Sequence, residues 1–128
     1  MFGRSARTFA LSKLDHVVVG VDAHDIVALE EAGPAPGEDH LDVASLLGVR
    51  VGDDAPRRVA SVRGKVARLL LGTTVHLADH DAEAFVALPR FVAPALRRRG
   101  IDGLLLLPDG IAYILALDLL PATAEGTP

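Results

Sequence analysis

The clearest structural signal in the chain is the stretch GLLLLPDGIAYILALD, residues 103–118. Its first apolar run ends at Pro108, which presets φ, and Asp109 and Gly110 then supply a turn former and a residue that tolerates left-handed backbone conformations. A second apolar run begins at Ile111. Two apolar runs joined by such a turn predict a β-hairpin near the end of the chain.

Two further hairpins are predicted upstream. Their strands lie at residues 8–13 and 16–21 for the first and at residues 57–62 and 65–71 for the second. We place the first turn at Leu14-Asp15 and the second at Arg63-Gly64. Short strands separated by turns at roughly 8–12-residue intervals indicate a barrel or a sandwich.

The segments between the hairpins are mixed. Residues 22–31 are ambiguous, because Asp22 is suited to cap a helix whereas Ile26 to Leu29 also fits a strand. Asp42 and Gly48 bracket a helix of one to two turns, with the first as N-cap and the second as a left-handed C-cap. The remaining predictions are a loop at residues 33–39, a strand at 73–77, a polar connection at 78–83 and a helical turn from Pro94 to Gly100.

Composition excludes several function classes. The 128 residues carry a net charge of −4 and include no cysteine and only five aromatic side chains. A negative charge opposes broad contact with nucleic acid, and few aromatic platforms are available for stacking on bases. Without cysteine, neither disulfides nor a thiolate zinc site can form.

Location and domain organisation follow from the same residues. The longest uninterrupted apolar run, residues 111–117, is much shorter than the roughly 20 residues of a membrane helix. We therefore expect no membrane insertion and a cytoplasmic protein. The domain is expected to span residues 8–120, with flexible ends at residues 1–7 and 121–128.

No catalytic or cofactor motif is evident, and we expect neither enzymatic activity nor a cofactor. His76 and His80, close to two aspartates, suggest a metal site only if they lie on a helix. The strand-like sequence around His76 instead places positions four apart about 13 Å from each other. The run Arg97-Arg98-Arg99, near Arg90, is either a solvated turn or a contact for an acidic partner.

The order of these elements resembles the CheW-like chemotaxis adaptors from about Thr8 to Leu120. Gly20-Val21-Asp22-x-x-x-Ile26-x-x-Leu29 is similar to the Gly-Ile-Asp-x-x-x-Val-x-x-Ile stretch of that family, and Leu41-Asp42-Val43 is similar to the Val-Asp-Leu segment that opens its short helix. The three hairpins follow in the family's order. Each match by itself is short, and their order carries the resemblance.

The resemblance implies a mostly β fold of two small SH3-like β-barrels sharing a hydrophobic core, with one or two short helices. It also implies that a chemoreceptor (methyl-accepting chemotaxis protein) docks its cytoplasmic tip between the barrels and that a CheA-type histidine kinase binds the first barrel. Ile26 and Leu29 match receptor-groove positions of the family and are the expected partner-binding residues, although plain core packing would explain them equally well. The expected function is therefore a non-catalytic adaptor in a chemosensory pathway.

The sequence also departs from the family. Only nine residues separate Glu31 from Leu41, where the family carries a strand pair with a Gly-Val-x-Asn-Leu-Arg-Gly motif, so a truncated first barrel and weakened kinase binding are expected. Ala28 and Gly72 replace two acidic residues of the family pattern. Two alternatives stay open, namely a small-ligand or metal sensor on the same scaffold and a structural subunit of a larger complex.

Overall fold

The structure, a computed structural model, describes residues 6–31, 40–50, 56–63 and 68–120. These residues form ten β-strands and two short α-helices. The elements are β1 (Ala6–Leu14), β2 (Val17–Asp22), β3 (Ile26–Glu31), β4 (His40–Asp42), α1 (Val43–Leu47), β5 (Arg58–Val62), β6 (Arg68–Leu70), β7 (Val75–Asp81), β8 (Phe85–Ala87), α2 (Ala93–Arg98), β9 (Ile101–Leu107) and β10 (Gly110–Leu115). Single 3₁₀ turns lie at Ala23–Asp25, Ala82–Ala84 and Leu117–Leu119.

The strands form two sheets. The larger has the order β7-β1-β2-β10-β9-β8, and the smaller has the order β3-β5-β6-β4. Pairing is antiparallel except between β2 and β10 and between β4 and β6. The larger sheet therefore combines the first hairpin with the last part of the chain, and the smaller sheet is inserted between them in sequence. The expectation of a mostly β fold with one or two short helices is confirmed, and the two sheets are consistent with the expected two-barrel arrangement.

Two clusters of buried apolar side chains stabilise these sheets. One lies on a single face of the larger sheet and contains Phe9, Leu11, Leu105, Ala112 and Ile114. The other draws buried side chains from both sheets and from α1. It contains Leu14, Val19, Val21, Val43, Ala44, Ala60, Val62, Leu69, Leu71, Ile101, Leu115 and Leu120. The second cluster is the shared core that joins the two halves.

The first hairpin turns one residue later than predicted. Strand β1 continues through Leu14, which is fully buried and pairs with Val17, and the turn falls at Asp15 and His16. Asp15 has φ 59°, a left-handed conformation that aspartate tolerates better than most residues. The prediction of a turn at Leu14-Asp15 was wrong because burial of Leu14 in the shared core extends the strand.

The polar connection predicted at residues 78–83 was also wrong in its first part. Residues Ala78 to Asp81 complete β7, where Ala78 pairs with Phe9 and His80 with Arg7. Backbone pairing with the long strand β1 overrides the polar composition of this segment, as tertiary context often does for strands. Only Ala82–Ala84 forms the connecting 3₁₀ turn.

Residues 22–31 combine the two predicted alternatives, a helical turn capped by Asp22 and a strand. Asp22 caps a 3₁₀ turn by accepting a hydrogen bond from the backbone N–H of His24 at 3.0 Å, and strand β3 begins directly afterwards at Ile26.

The prediction of a short helix between Asp42 and Gly48 is confirmed by α1. Asp42 accepts from the N–H of Ala44 at 3.0 Å, and Gly48 ends the helix at φ 75°.

A bidentate ion pair supports the start of α1. Arg57 donates to both carboxylate oxygens of Asp42, at 2.8 and 3.3 Å, and to the carbonyl of Leu71 at 2.7 Å. The cap residue is thereby tied to the end of β6. The short strand β4, which contains Asp42, was not anticipated, because its only described pairing is a parallel one with β6, remote in sequence.

Two sequence predictions fall outside the described residues. The segment 32–39, on which the expected truncation of the first barrel depends, is not among them, and neither are residues 64–67 of the second hairpin. The described part of the smaller sheet has four strands.

Ser12 is the single buried polar residue of the described core, and it joins strand β1 to the segment after β6. Its hydroxyl accepts from the N–H of Gly72 and donates to the carbonyl of Thr74, both at 2.9 Å. A Cβ on Gly72 would lie 2.3 Å from the carbonyl oxygen of Lys13. Glycine is therefore required at this close approach of two backbone segments.

We predict that Ser12→Ala destabilises the fold by about 1–3 kcal/mol, because both backbone groups lose their buried partner. Urea unfolding followed by circular dichroism measures the change. Ser45→Ala, at an exposed position in α1, is the matched control and should shift stability by no more than about 0.5 kcal/mol. Equal effects of the two substitutions would contradict the role of Ser12.

Candidate functional site

A cavity of about 490 Å³ lies at the boundary between the two sheets. Asp25 and Arg63 reach it from the same end of the antiparallel β3–β5 pair, where Asp25 precedes β3 and Arg63 follows β5. The other lining residues belong to the larger sheet and its connections. The lining consists of Arg7, Asp22, Asp25, Arg63, Phe85, Asp102, Ile114, Leu115, Ala116, Leu117 and Asp118. We call it the charged cavity, because two arginines and four aspartates line it above an apolar floor.

Of the two arginines that line the charged cavity, Arg7 is the one whose side chain is fixed by several contacts. Its guanidinium carbon lies 4.9 Å from the ring centre of Phe9 and 4.7 Å from that of Phe85. The two rings are themselves stacked, with centres 6.1 Å apart. One guanidinium nitrogen donates to Asp22 at 3.0 Å. Two cation–π contacts and a salt bridge thus fix this side chain at the mouth of the apolar core of the larger sheet.

Asp22 connects Arg7 to the 3₁₀ turn at Ala23–Asp25, which precedes β3. Partial burial by itself would raise the pKa of Asp22, but hydrogen bonds from the His24 backbone and from Arg7 outweigh it and hold the pKa below its ordinary value of 3.8. The carboxylate is therefore stabilised in its charged form. It positions both Arg7 and the 3₁₀ turn that leads into the smaller sheet.

The other charged residues of the cavity belong to both sheets. Asp102, on β9, pairs with Arg97 of α2 at 3.7 Å. Arg63 follows β5, and its backbone N–H donates to the carbonyl of Asp25 at 3.0 Å. Exposed charges of both signs at one open boundary suit a polar partner surface of mixed charge.

The predicted partner residues Ile26 and Leu29 lie on β3, beside the charged cavity and outside its lining. Both are half-buried and pack against the shared core. Val27, between them, points outward and is 66% exposed. The structure thus places Ile26 and Leu29 against the core and Val27 toward solvent. Their part in partner binding stays a prediction.

Sequence reasoning missed Arg7 and Phe85. Arg7 and Phe9 are two residues apart on one strand and so share a face, which is a signal that the sequence contains. Phe85 lies 76 residues beyond Phe9, and only the folded sheet brings its ring close to the Arg7 guanidinium.

The two candidate metal-binding histidines do not come together. His76 and His80 are four residues apart on strand β7, a span of about 13 Å. The ring of His80 packs 6.3 Å from that of Phe9. Within the described ranges, no group of three or more histidine or acidic side chains is arranged to hold a metal ion.

Several large apolar side chains are exposed around the described surface. The most exposed are Phe91 at 87%, Val27 at 66% and Leu77 at 58%. They lie in different elements, a loop, β3 and β7, and not in one patch of consecutive residues. Among the described residues, none of the helices has the length and apolar character needed to cross a bilayer.

We predict that Asp22→Asn lowers stability at neutral pH by about 0.2–1 kcal/mol, the range measured for exposed ion pairs. Because the pKa of Asp22 is lowered in the folded state, its contribution is present above pH 3.8 and is lost as pH falls through the folded pKa. The stability difference between variant and wild type should therefore shrink as the pH is lowered below 3.8. Urea midpoints at pH 7 and pH 3 measure both effects.

Asp118→Asn is the control for this prediction. Asp118 lines the same cavity but forms no salt bridge within the described part of the chain. The Asp118→Asn variant should show the same difference in urea midpoint between pH 7 and pH 3 as the wild type. If Asp22→Asn does the same, the ion pair with Arg7 contributes nothing measurable to folding.

No family model matches the sequence, and no curated protein matches it either. Among solved structures, the fold is similar to the scaffolding protein TtCheW from Thermoanaerobacter tengcongensis, with a TM-score of 0.69 and 17% sequence identity. The similarity covers 88% of this chain and 90% of the other. The two sheets around a shared core thus have the CheW-like fold.

Proposed function

We propose that the protein is a non-catalytic adaptor of a chemosensory complex and acts in the cytoplasm. The observation that carries this proposal is the CheW-like fold across 88% of the chain, since the similar protein is a scaffolding protein. A fold by itself does not specify an activity, so the proposal also needs a surface. The boundary between the sheets, with the charged cavity and strand β3, supplies one.

The receptor tip is proposed to contact strand β3. On this strand Val27 offers an exposed apolar side chain, while Ile26 and Leu29 support it from the shared core. Among the described strands, β3 pairs only with β5 and so lies at an edge of the smaller sheet. An apolar anchor at an edge, next to charges of both signs, is a suitable docking surface for an amphipathic helix of a receptor.

We predict that Val27→Asp weakens binding of a purified chemoreceptor signalling-tip fragment at least tenfold, because a charge replaces an apolar anchor. Titration calorimetry or anisotropy measures the affinity. Circular dichroism should stay unchanged, since Val27 is exposed. Leu106→Asp, at a 49% exposed position on β9, is the matched control and should bind normally.

Ile26→Asp addresses the two interpretations of that residue. It should abolish receptor binding, but its side chain packs against the core, so a collapsed spectrum would mark it as a core residue. The surface on β3 is wrong if Val27→Asp and the wild type bind with equal affinity. The adaptor function itself is wrong if the wild type binds no receptor tip from its own organism.

We further predict weak binding of the CheA-type kinase. The nine residues between Glu31 and Leu41 replace a strand pair that the resemblance places in the first barrel. Stable interfaces bury roughly 1,200–2,000 Å², and loss of two strands removes part of one side. Calorimetry with the regulatory domain of the kinase should give a Kd well above that of a full-length adaptor. Micromolar or tighter binding would contradict this.

The sensor alternative has less support. Its metal version rested on His76 and His80, which the strand separates. The charged cavity lies within the roughly 300–1,000 Å³ range of ligand pockets, but six of its eleven lining residues are charged, whereas ligand pockets usually carry only a few polar groups. A protein partner suits this site better than a small molecule.

A further inference from the structure

A second groove, separate from the charged cavity, lies between the two helices. Leu47 of α1 and Leu96 of α2 form its walls, and Ile101 and Tyr113 of the larger sheet lie beneath. Val17 and Arg99 complete the lining. Its volume is about 210 Å³, and it shares no lining residue with the charged cavity. We call it the helix groove.

The size of the helix groove favours a side-chain anchor over a small molecule. Ligand pockets usually measure about 300–1,000 Å³, which is larger than this groove. Five of its six lining residues are aliphatic or aromatic, and Ile101 is only 2% exposed. An apolar side chain of a partner can therefore be buried here, as at the centre of a protein interface.

The helix groove continues along β10. A neighbouring cavity of about 450 Å³ shares Val17 and Tyr113 with it, so the two adjoin. Ile111 lies in this second cavity and is 39% exposed, and it pairs across the sheet with Leu106, which is 49% exposed. A segment bound in the helix groove can therefore extend toward Ile111, into a neighbouring cavity that Lys13, His16 and Asp109 also line.

Positive charge concentrates at the α2 side of the groove. Arg97, Arg98 and Arg99 occupy consecutive exposed positions at the end of α2, in a protein whose net charge is −4. Arg97 pairs with Asp102 at 3.7 Å, whereas Arg98 makes no ion pair within the described residues. Cations also stabilise a helix C-terminus, so part of this basic run is expected from the helix itself.

Arg99 connects this charge to the groove. It lines the cavity, and its guanidinium donates to the carbonyl of Leu46 at 3.4 Å, a long and exposed hydrogen bond. The side chain therefore reaches from α2 to α1 at the groove, and its other N–H donors have no hydrogen-bond partner among the described residues. A guanidinium has five N–H donors and suits a bidentate carboxylate.

We propose that the helix groove docks an acidic amphipathic segment of a partner protein, with an apolar side chain in the groove and carboxylates against Arg99. This surface differs from the one proposed for the receptor on β3. Charge complementarity selects the partner chemistry, since a basic or neutral segment would supply no counter-charge to Arg98 and Arg99.

The test uses the full chain and a fluorescein-labelled amphipathic peptide of leucine and glutamate, with a leucine and glutamine peptide as the neutral control. The acidic peptide should bind at least tenfold tighter, and the advantage should shrink as salt increases. Amide resonances of Leu96, Arg99 and Tyr113 should shift on titration. Equal binding of the two peptides, shifts elsewhere, or no saturable binding would overturn the proposal.

Arg99→Glu and Arg98→Glu form a matched pair of variants. Both reverse one exposed charge at the end of α2, but only Arg99 lines the groove. Arg99→Glu should weaken the acidic peptide at least tenfold, and Arg98→Glu only about twofold through long-range attraction. Equal losses would show a diffuse charge effect and reject docking in the groove. Both variants should bind the receptor tip normally, which separates this test from that of the adaptor function.

Discussion

One apolar core between the two sheets is the constraint on which the rest of this structure depends. The larger sheet contributes Val19 and Ile101, the smaller sheet contributes Ala60 and Leu69, and α1 contributes Val43. Neither sheet can bury this face alone, because each supplies only part of the cluster. The two halves therefore fold as one unit, and the boundary between them has a defined geometry. Both proposed docking surfaces lie along that boundary.

The chain forms this unit with few aromatic side chains. Only four phenylalanines and one tyrosine are present, and two of the phenylalanines, Phe9 and Phe85, stack with each other and carry Arg7. The remaining core consists mainly of valine, leucine, isoleucine and alanine. Such side chains pack well on pleated strands but carry no hydrogen-bonding groups. Polar specificity accordingly comes from residues at the rim, such as Asp22 and Arg99.

Two surfaces with different chemistry are consistent with an adaptor. The strand β3 surface combines an exposed valine with charges of both signs, and the helix groove combines an apolar floor with concentrated positive charge. They share no lining residue, so occupation of one need not exclude the other. A protein that joins two partners requires this kind of separation, because a single surface would make the partners compete.

Local sequence predicted the elements that depend on short-range chemistry. Asp42 and Gly48 bracket α1 as expected, and Pro108 to Gly110 form the expected turn between β9 and β10, because caps and turns depend on the residues themselves. The resemblance of ordered segments to CheW-like adaptors also identified the fold. Where two elements compete, as at residues 22–31, the sequence left both possibilities open.

Only the tertiary structure could decide features that need partners far along the chain. Strand β7 extends through polar residues because β1 pairs with it, and β4 exists through its pairing with β6. Arg7 meets Phe85 only when the larger sheet brings β1 and β8 together, and Arg99 meets Leu46 only when α1 and α2 come together. Composition and hydrophobic pattern determined that this protein is a small β-rich domain. The contacts that make up its surfaces depend on packing between segments distant in sequence, which no local pattern encodes.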